Sequence, residues 1–189
     1  PRHGSAGYAR PVAPARGRVA CGPMADLPHA GLLERFRAEP ERARVALSVA
    51  TGLGEGMRCE TVSRGHGVVV DEPASFGGTD TAQSPVELLL SSLATCQAIT
   101  YRLWAAQLGV ALDRVEVEVT GHIDLRGYLG LDGDAAPGYE RLEMRVALEG
   151  PDDPARYAEL RDAVERHCPV LDVLTRPVPV ECEVELPGG

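Results

Sequence analysis

Residues 84–109 constrain the fold more than any other part of this chain. The run from Leu88 to Tyr101 holds no charged residue. It is preceded by Ser84, Pro85 and Glu87, an N-cap serine, a proline at the first helical position and a glutamate at the third, which together make a capping box. Gly109 supplies the stop. Leu88, Leu89, Leu90, Leu93, Ala94, Ile99, Leu103 and Trp104 cover most of the circumference. A helix apolar nearly all round has to be enclosed rather than laid on a surface. At 14 uncharged residues it fits a buried core helix and falls short of a bilayer span.

The remaining periodicity is mostly that of half-wet strands. Val45, Leu47 and Val49 alternate with polar or small residues, and Thr51–Gly56 reads as a hairpin turn. Residues 57–62 and 66–70 are the next two strands, split by Ser63-Arg64-Gly65. Val115, Val117 and Val119 alternate with glutamates, as do Leu142, Met144, Val146 and Leu148 with Glu143, Arg145 and Ala147. A final strand is expected over Val178–Leu186, with Cys182 on its apolar face. Short helices are expected around Leu32, Leu33 and Phe36 and from Asp153-Pro154, the latter with Tyr157, Leu160, Val164 and Cys168 on one stripe. Wet-faced strands with few helices indicate an α+β fold, an antiparallel sheet with helices packed on one side. Residues 24–189 are read as one domain. Residues 1–23 carry Arg2, Arg10, Arg16 and Arg18, no acid and four prolines, and are read as a disordered or tag-like leader.

The net charge of −9 becomes −9 − 4 = −13 without that leader, which argues against a nucleic-acid surface. Five cysteines at irregular spacing, with no CxxC, indicate neither a disulfide framework nor a zinc site, and no cofactor is implied. A reducing, cytoplasmic compartment is the default.

The cysteines sort by setting. Cys182 and Cys59 read as core residues of strands, and Cys21 lies in the leader. Cys168 precedes Pro169, at the start of a further short helix, where the helix dipole favours a thiolate and His167 and Arg166 add positive potential. Cys96 sits among Ser91, Ser92, Thr95 and Gln97, which either pack against another backbone or line a small polar pocket.

The run GGTDTAQSPVELLLSSLATCQAIT (77–100), followed 72 residues after Cys96 by HCPVLDVLT (167–175), resembles the OsmC/Ohr family of osmotically induced and organic-hydroperoxide-resistance proteins. The resemblance covers residues 43–186. It implies an intertwined α+β homodimer with the cysteine-bearing helices at its centre. It also implies reduction of a small organic hydroperoxide, with Cys96 as the peroxidatic and Cys168 as the resolving cysteine, recharged by a dithiol reductant of lipoyl type. A second reading is a dimer that senses redox state or binds a small hydrophobe without catalysis. The family pattern places a carboxylate directly after the motif proline, where this chain has Val86; Glu87 is one residue on, and nine helical steps bring it to the face opposite Cys96. The family's thiolate-holding arginine has no counterpart between Val68 and Phe76, leaving Arg64 and His66 as substitutes.

Overall fold

The computed structural model describes residues 30–188, so the leader and Cys21 lie outside the described residues. In chain order the elements are α1 (Ala30–Ala38), β1 (Ala50–Leu53), β2 (Cys59–Ser63), β3 (His66–Val70), α2 (Pro85–Leu108), β4 (Arg114–Ile123), α3 (Leu125–Tyr128), β5 (Tyr139–Glu149), α4 (Pro154–His167) and α5 (Pro169–Thr175). Two 3-10 turns, Pro40–Ala43 and Ala74–Phe76, punctuate the connections.

The strands form two antiparallel sheets, not one. In the first, β1 pairs with β2 from Ala50–Val62 to Leu53–Cys59, and β2 pairs with β3 from Cys59–Val70 to Ser63–His66. The second is the long β4–β5 ribbon, with Arg114 opposite Glu149 and a register shift at His122/Ile123. β4, α4 and α5 all pack on α2. The core lies where they meet: Tyr101, Ala105, Val110, Leu112, Leu160 and Val164 are buried together, with Trp104, Val146, Leu148 and Tyr157 against them. No helix among the described residues is long and apolar enough to cross a membrane.

Two expectations need correction. The first strand begins at Ala50, not near Arg44, and the chain reverses between Gly54 and Arg58, where Gly54 N–H donates to Arg58 O at 2.8 Å. The alternation starting at Val45 continues through Thr51 and Leu53, but only its later half finds a strand to pair with. Residues 178–186 form no strand, and Cys182 is exposed, not core. The alternating pattern is there, yet among the described residues no neighbouring strand completes the ladder, and Val180 stands 88% exposed. Within the single chain α2 is covered on one side, as expected of a helix whose remaining face one thin sheet cannot reach. Leu93, Gln97, Thr100, Tyr101 and Ala105 are buried, whereas Ile99 is 69% exposed.

Candidate active site

Each end of α2 is fixed by the residues its sequence advertised. Ser84 Oγ accepts from Glu87 N–H, and Ser84 N–H donates to Glu87 Oε2 at 2.8 Å, closing the capping box. At the other end Gly109 takes the left-handed conformation at φ 64°, and Arg156 Nη2 donates to Leu108 O. Tyr139 crosses from β5 to donate its hydroxyl to Val86 O at 2.9 Å, lying against Gly121, where any Cβ would strike its ring.

The loop leading into α2 is organised by Asp71, a residue whose role the sequence reading missed. It is 1% exposed. Its Oδ2 accepts from the backbone N–H and the hydroxyl of both Thr79 and Thr81, while Oδ1 accepts from Glu72 N–H. Those bonds, that of the Thr79 hydroxyl foremost, hold the carboxyl well below the usual carboxylate range. A Cβ at Gly78 would overlap Glu72 O, so the loop closes this tightly only with glycine there. An aspartate followed by a Thr-x-Thr in a glycine-rich stretch was the available signal, since short polar side chains organise turns by bonding nearby backbone.

Cys168 is a joint. It ends α4, its N–H donating to Val164 O at 2.9 Å, and starts α5, its carbonyl accepting from Asp172 N–H at 3.0 Å. Pro169 at the first turn of α5 lacks the N–H a continuous helix would use and clashes with the preceding turn, which favours this elbow. Leu160, Ala163 and Val164 are buried, and their stripe carries Cys168 to zero exposure. Its Sγ lies 3.5 Å from Cys96 Sγ, donating toward it.

The expectation that the helix start would favour a Cys168 thiolate is overturned. Burial is the largest influence and pushes the thiol up; the backbone amides of Leu171 and Val170 pull the other way and lose, and the neighbouring Cys96 raises it further. Cys168 therefore keeps its proton. Cys96 is half-buried where Cys168 is fully buried.

The other candidates lie elsewhere. Glu87 is engaged in the capping box, nine residues or about 13 Å along the helix axis from Cys96. Arg64 sits in the β2–β3 turn at φ 50°, and His66 follows it; both are exposed, and among the described residues neither is bonded to Cys96 or Cys168. His167 turns from the site, its Nδ1 at 2.7 Å from Ala163 O and its ring 4.2 Å from that of Trp104. Cys59 is half-buried in β2. Among the described residues no cluster of three or more His, Cys, Asp or Glu could hold a metal ion.

The site thus consists of a half-buried thiol on α2 and a fully buried thiol at the α4–α5 elbow, 3.5 Å apart on an α+β scaffold. The model of the OsmC-like protein family matches residues 78–183, and the chain belongs to that family. Solved structures share the fold. An OsmC-like protein from Mycoplasma pneumoniae is 21% identical with a TM-score of 0.61, over 69% of this chain and 88% of that one. Organic hydroperoxide resistance proteins also match. The one from Elizabethkingia anophelis has 16% identity and a TM-score of 0.54 over 71% and 90% of the two chains. The one from Legionella pneumophila has 14% and 0.53 over 69% and 89%. No curated protein sequence matches the chain.

Proposed function

We propose that this chain is a thiol-dependent reductase of small organic hydroperoxides, working as a homodimer in the cytoplasm. The observation that carries the reading is the 3.5 Å approach of Cys168 Sγ to Cys96 Sγ. The Cys96 thiolate attacks the terminal oxygen of ROOH; the O–O bond breaks, the alkoxide leaves and takes up a proton as ROH, and Cys96 becomes a sulfenic acid. Cys168 loses its proton and attacks the sulfenic sulfur, and hydroxide leaves as water. The two sulfurs close by about 1.5 Å to reach disulfide length. An external dithiol, of lipoyl type by family resemblance, then reduces the disulfide and is itself oxidised.

The difference in burial supports this order of roles, with half-buried Cys96 meeting the peroxide and fully buried Cys168 resolving it. Among the described residues the Cys168 S–H makes the hydrogen bond that reaches Cys96 Sγ, and it stands where it can stabilise the thiolate. A hydrogen bond from a neutral thiol is a weaker support than a cation, so the reaction is slower than in a protein carrying one. The same weakness favours the second reading, a redox sensor that oxidises at the same pair without rapid turnover.

The dimer rests on what a single chain leaves uncovered. Ile99 on α2, Leu47 and Val180 are 69%, 82% and 88% exposed, and both unpaired alternating segments need a strand beside them. A second copy burying on the order of 2,000 Å² supplies the cover.

Stoichiometric cumene hydroperoxide should consume two thiols per chain, and peptide mapping should find a Cys96–Cys168 crosslink that dithiol reverses. A crosslink through Cys59 or Cys182, or consumption of a single thiol, would overturn the assignment.

A further inference from the structure

Closing the two sulfurs into a disulfide depends on where α4 ends against α2. Arg156, near the start of α4, donates to Leu108 O at the end of α2. Twelve residues on along α4, Cys168 Sγ meets Cys96 Sγ, twelve residues back along α2, so the two helices run antiparallel. Between those contacts in both helices the ring of His167 lies 4.2 Å from that of Trp104, the planes tilted by 33°.

His167 is the last residue of α4, and the next residue is the joint itself. Cys168 links α4 to the seven-residue α5 in an extended conformation, φ −78° and ψ 110°, and makes no side-chain cap bond to it. Pro169 offers no N–H to tie the junction. The place of the Cys168 sulfur is therefore set by what holds the end of α4 against α2.

His167 holds it in two ways. Its Nδ1 lies 2.7 Å from Ala163 O; a carbonyl only accepts, so Nδ1 carries the proton and donates. That bond reaches back one turn along α4 and fixes the rotation of the ring. The ring then rests on Trp104, a half-buried side chain packed against the core. His167 is itself exposed, so burial of apolar surface accounts for little of the contact. What the contact does is anchor α4 one residue before the reacting sulfur.

We propose that His167 is a positioning residue for the thiol pair: stacked on Trp104, it holds the α4–α5 elbow so that Cys168 stays within closing distance of Cys96. The role rests on the two-thiol chemistry proposed for the pair. Without the stack the elbow visits positions from which the last 1.5 Å or so cannot be closed. The effective concentration of one sulfur at the other then falls.

A glutathione redox buffer at one fixed pH measures that effective concentration with no peroxide present. Cys96 and Cys168 give up two electrons and two protons as their S–S bond forms; oxidised glutathione takes them up as its own S–S bond breaks, leaving two thiols. Peptide mapping of acid-quenched full-length chain gives the Cys96–Cys168 fraction at each ratio, apart from mixed disulfides at other cysteines. His167→Ala should lower the equilibrium constant by at least about tenfold, a shift of about 30 mV for this two-electron couple. His167→Phe keeps a ring against Trp104 and should stay within about threefold of the parent. His167→Gln keeps a donor for Ala163 O but no ring, and should fall as far as His167→Ala. Trp104→Leu removes the other half of the stack, and adding His167→Ala to it should lower the constant no further. The His167 variants change an exposed side chain and keep the test decisive if Trp104→Leu fails to fold. A constant unchanged in His167→Ala, a constant restored by Gln but not by Phe, or losses that multiply in the double variant would overturn the proposal. A parent chain that forms no Cys96–Cys168 disulfide at any glutathione ratio would instead overturn the two-thiol chemistry, and this role with it.

Discussion

Oxidation of the thiol pair should raise the melting temperature by an amount that follows from where the two cysteines lie. They are 72 residues apart in sequence, and their sulfurs already stand 3.5 Å apart in the folded chain. Closing a loop of that length in the unfolded ensemble removes entropy equivalent to about 4 kcal/mol in the chain-entropy model. The folded side gives little of this back, because the sulfurs need to approach by only about 1.5 Å. For a domain of this size each kcal/mol moves the midpoint by roughly 2–4 °C, so the oxidised form should melt on the order of 10 °C above the reduced one. Scanning calorimetry with one equivalent of cumene hydroperoxide per chain, against the same sample in excess dithiothreitol, measures it at fixed protein concentration. Cys168→Ser should lose the whole increment while Cys96 still consumes peroxide. An unchanged midpoint on oxidation, or an increase that persists in Cys168→Ser, would refute the reasoning.

Three further outcomes are expected. The Asp71 carboxyl titrates lower in the folded chain than in the unfolded one, so its stabilising contribution is complete above the unfolded value near 4 and is lost as pH falls from there toward the folded pKa. Asp71→Asn should flatten that acid limb in urea melts, and an acid limb identical to the parent's would count against the Asp71 hub. Glu87→Gln should leave the stopped-flow rate of peroxide reduction within about twofold, and Glu87→Ala should cost about 1 kcal/mol or less of stability, since the side chain caps α2. A large rate loss at unchanged stability would put Glu87 in the chemistry. Arg64→Ala and His66→Ala, at the exposed tip of the β2–β3 hairpin, should alter that rate by less than about twofold, and a tenfold loss in either would show that the hairpin reaches a thiol in the dimer.

What the sequence disclosed was local, and what it concealed was relational. The capping box at Ser84, the stop at Gly109 and the helix start at Cys168-Pro169 depend on neighbours a few residues away, and all three are in place. The pairing of Cys96 with Cys168 came from the resemblance, because no periodicity connects residues 72 apart. Cys168 was misjudged electrostatically: its helix start is visible in sequence, but its burial depends on how α4 docks on α2, and burial wins. The strand expected at 178–186 failed for a related reason. Alternation specifies a face for burial without specifying which strand lies alongside, and among the described residues none does. Asp71 escaped notice because its five bonds reach residues up to ten positions on, across a loop with no periodicity.

The placement of Cys168 at the elbow of α4 and α5 has a consequence for biosynthesis. Synthesis runs from the N-terminus, so Cys96 emerges 72 residues before its partner, and α2 must wait for α4 to cover it. During that interval Cys59, 37 positions upstream, is the nearest thiol already synthesised among the described residues. A nascent chain meeting an oxidant then has only the wrong partner to offer. Reducing conditions during synthesis would therefore protect the later meeting of Cys96 with Cys168 from a Cys59 crosslink.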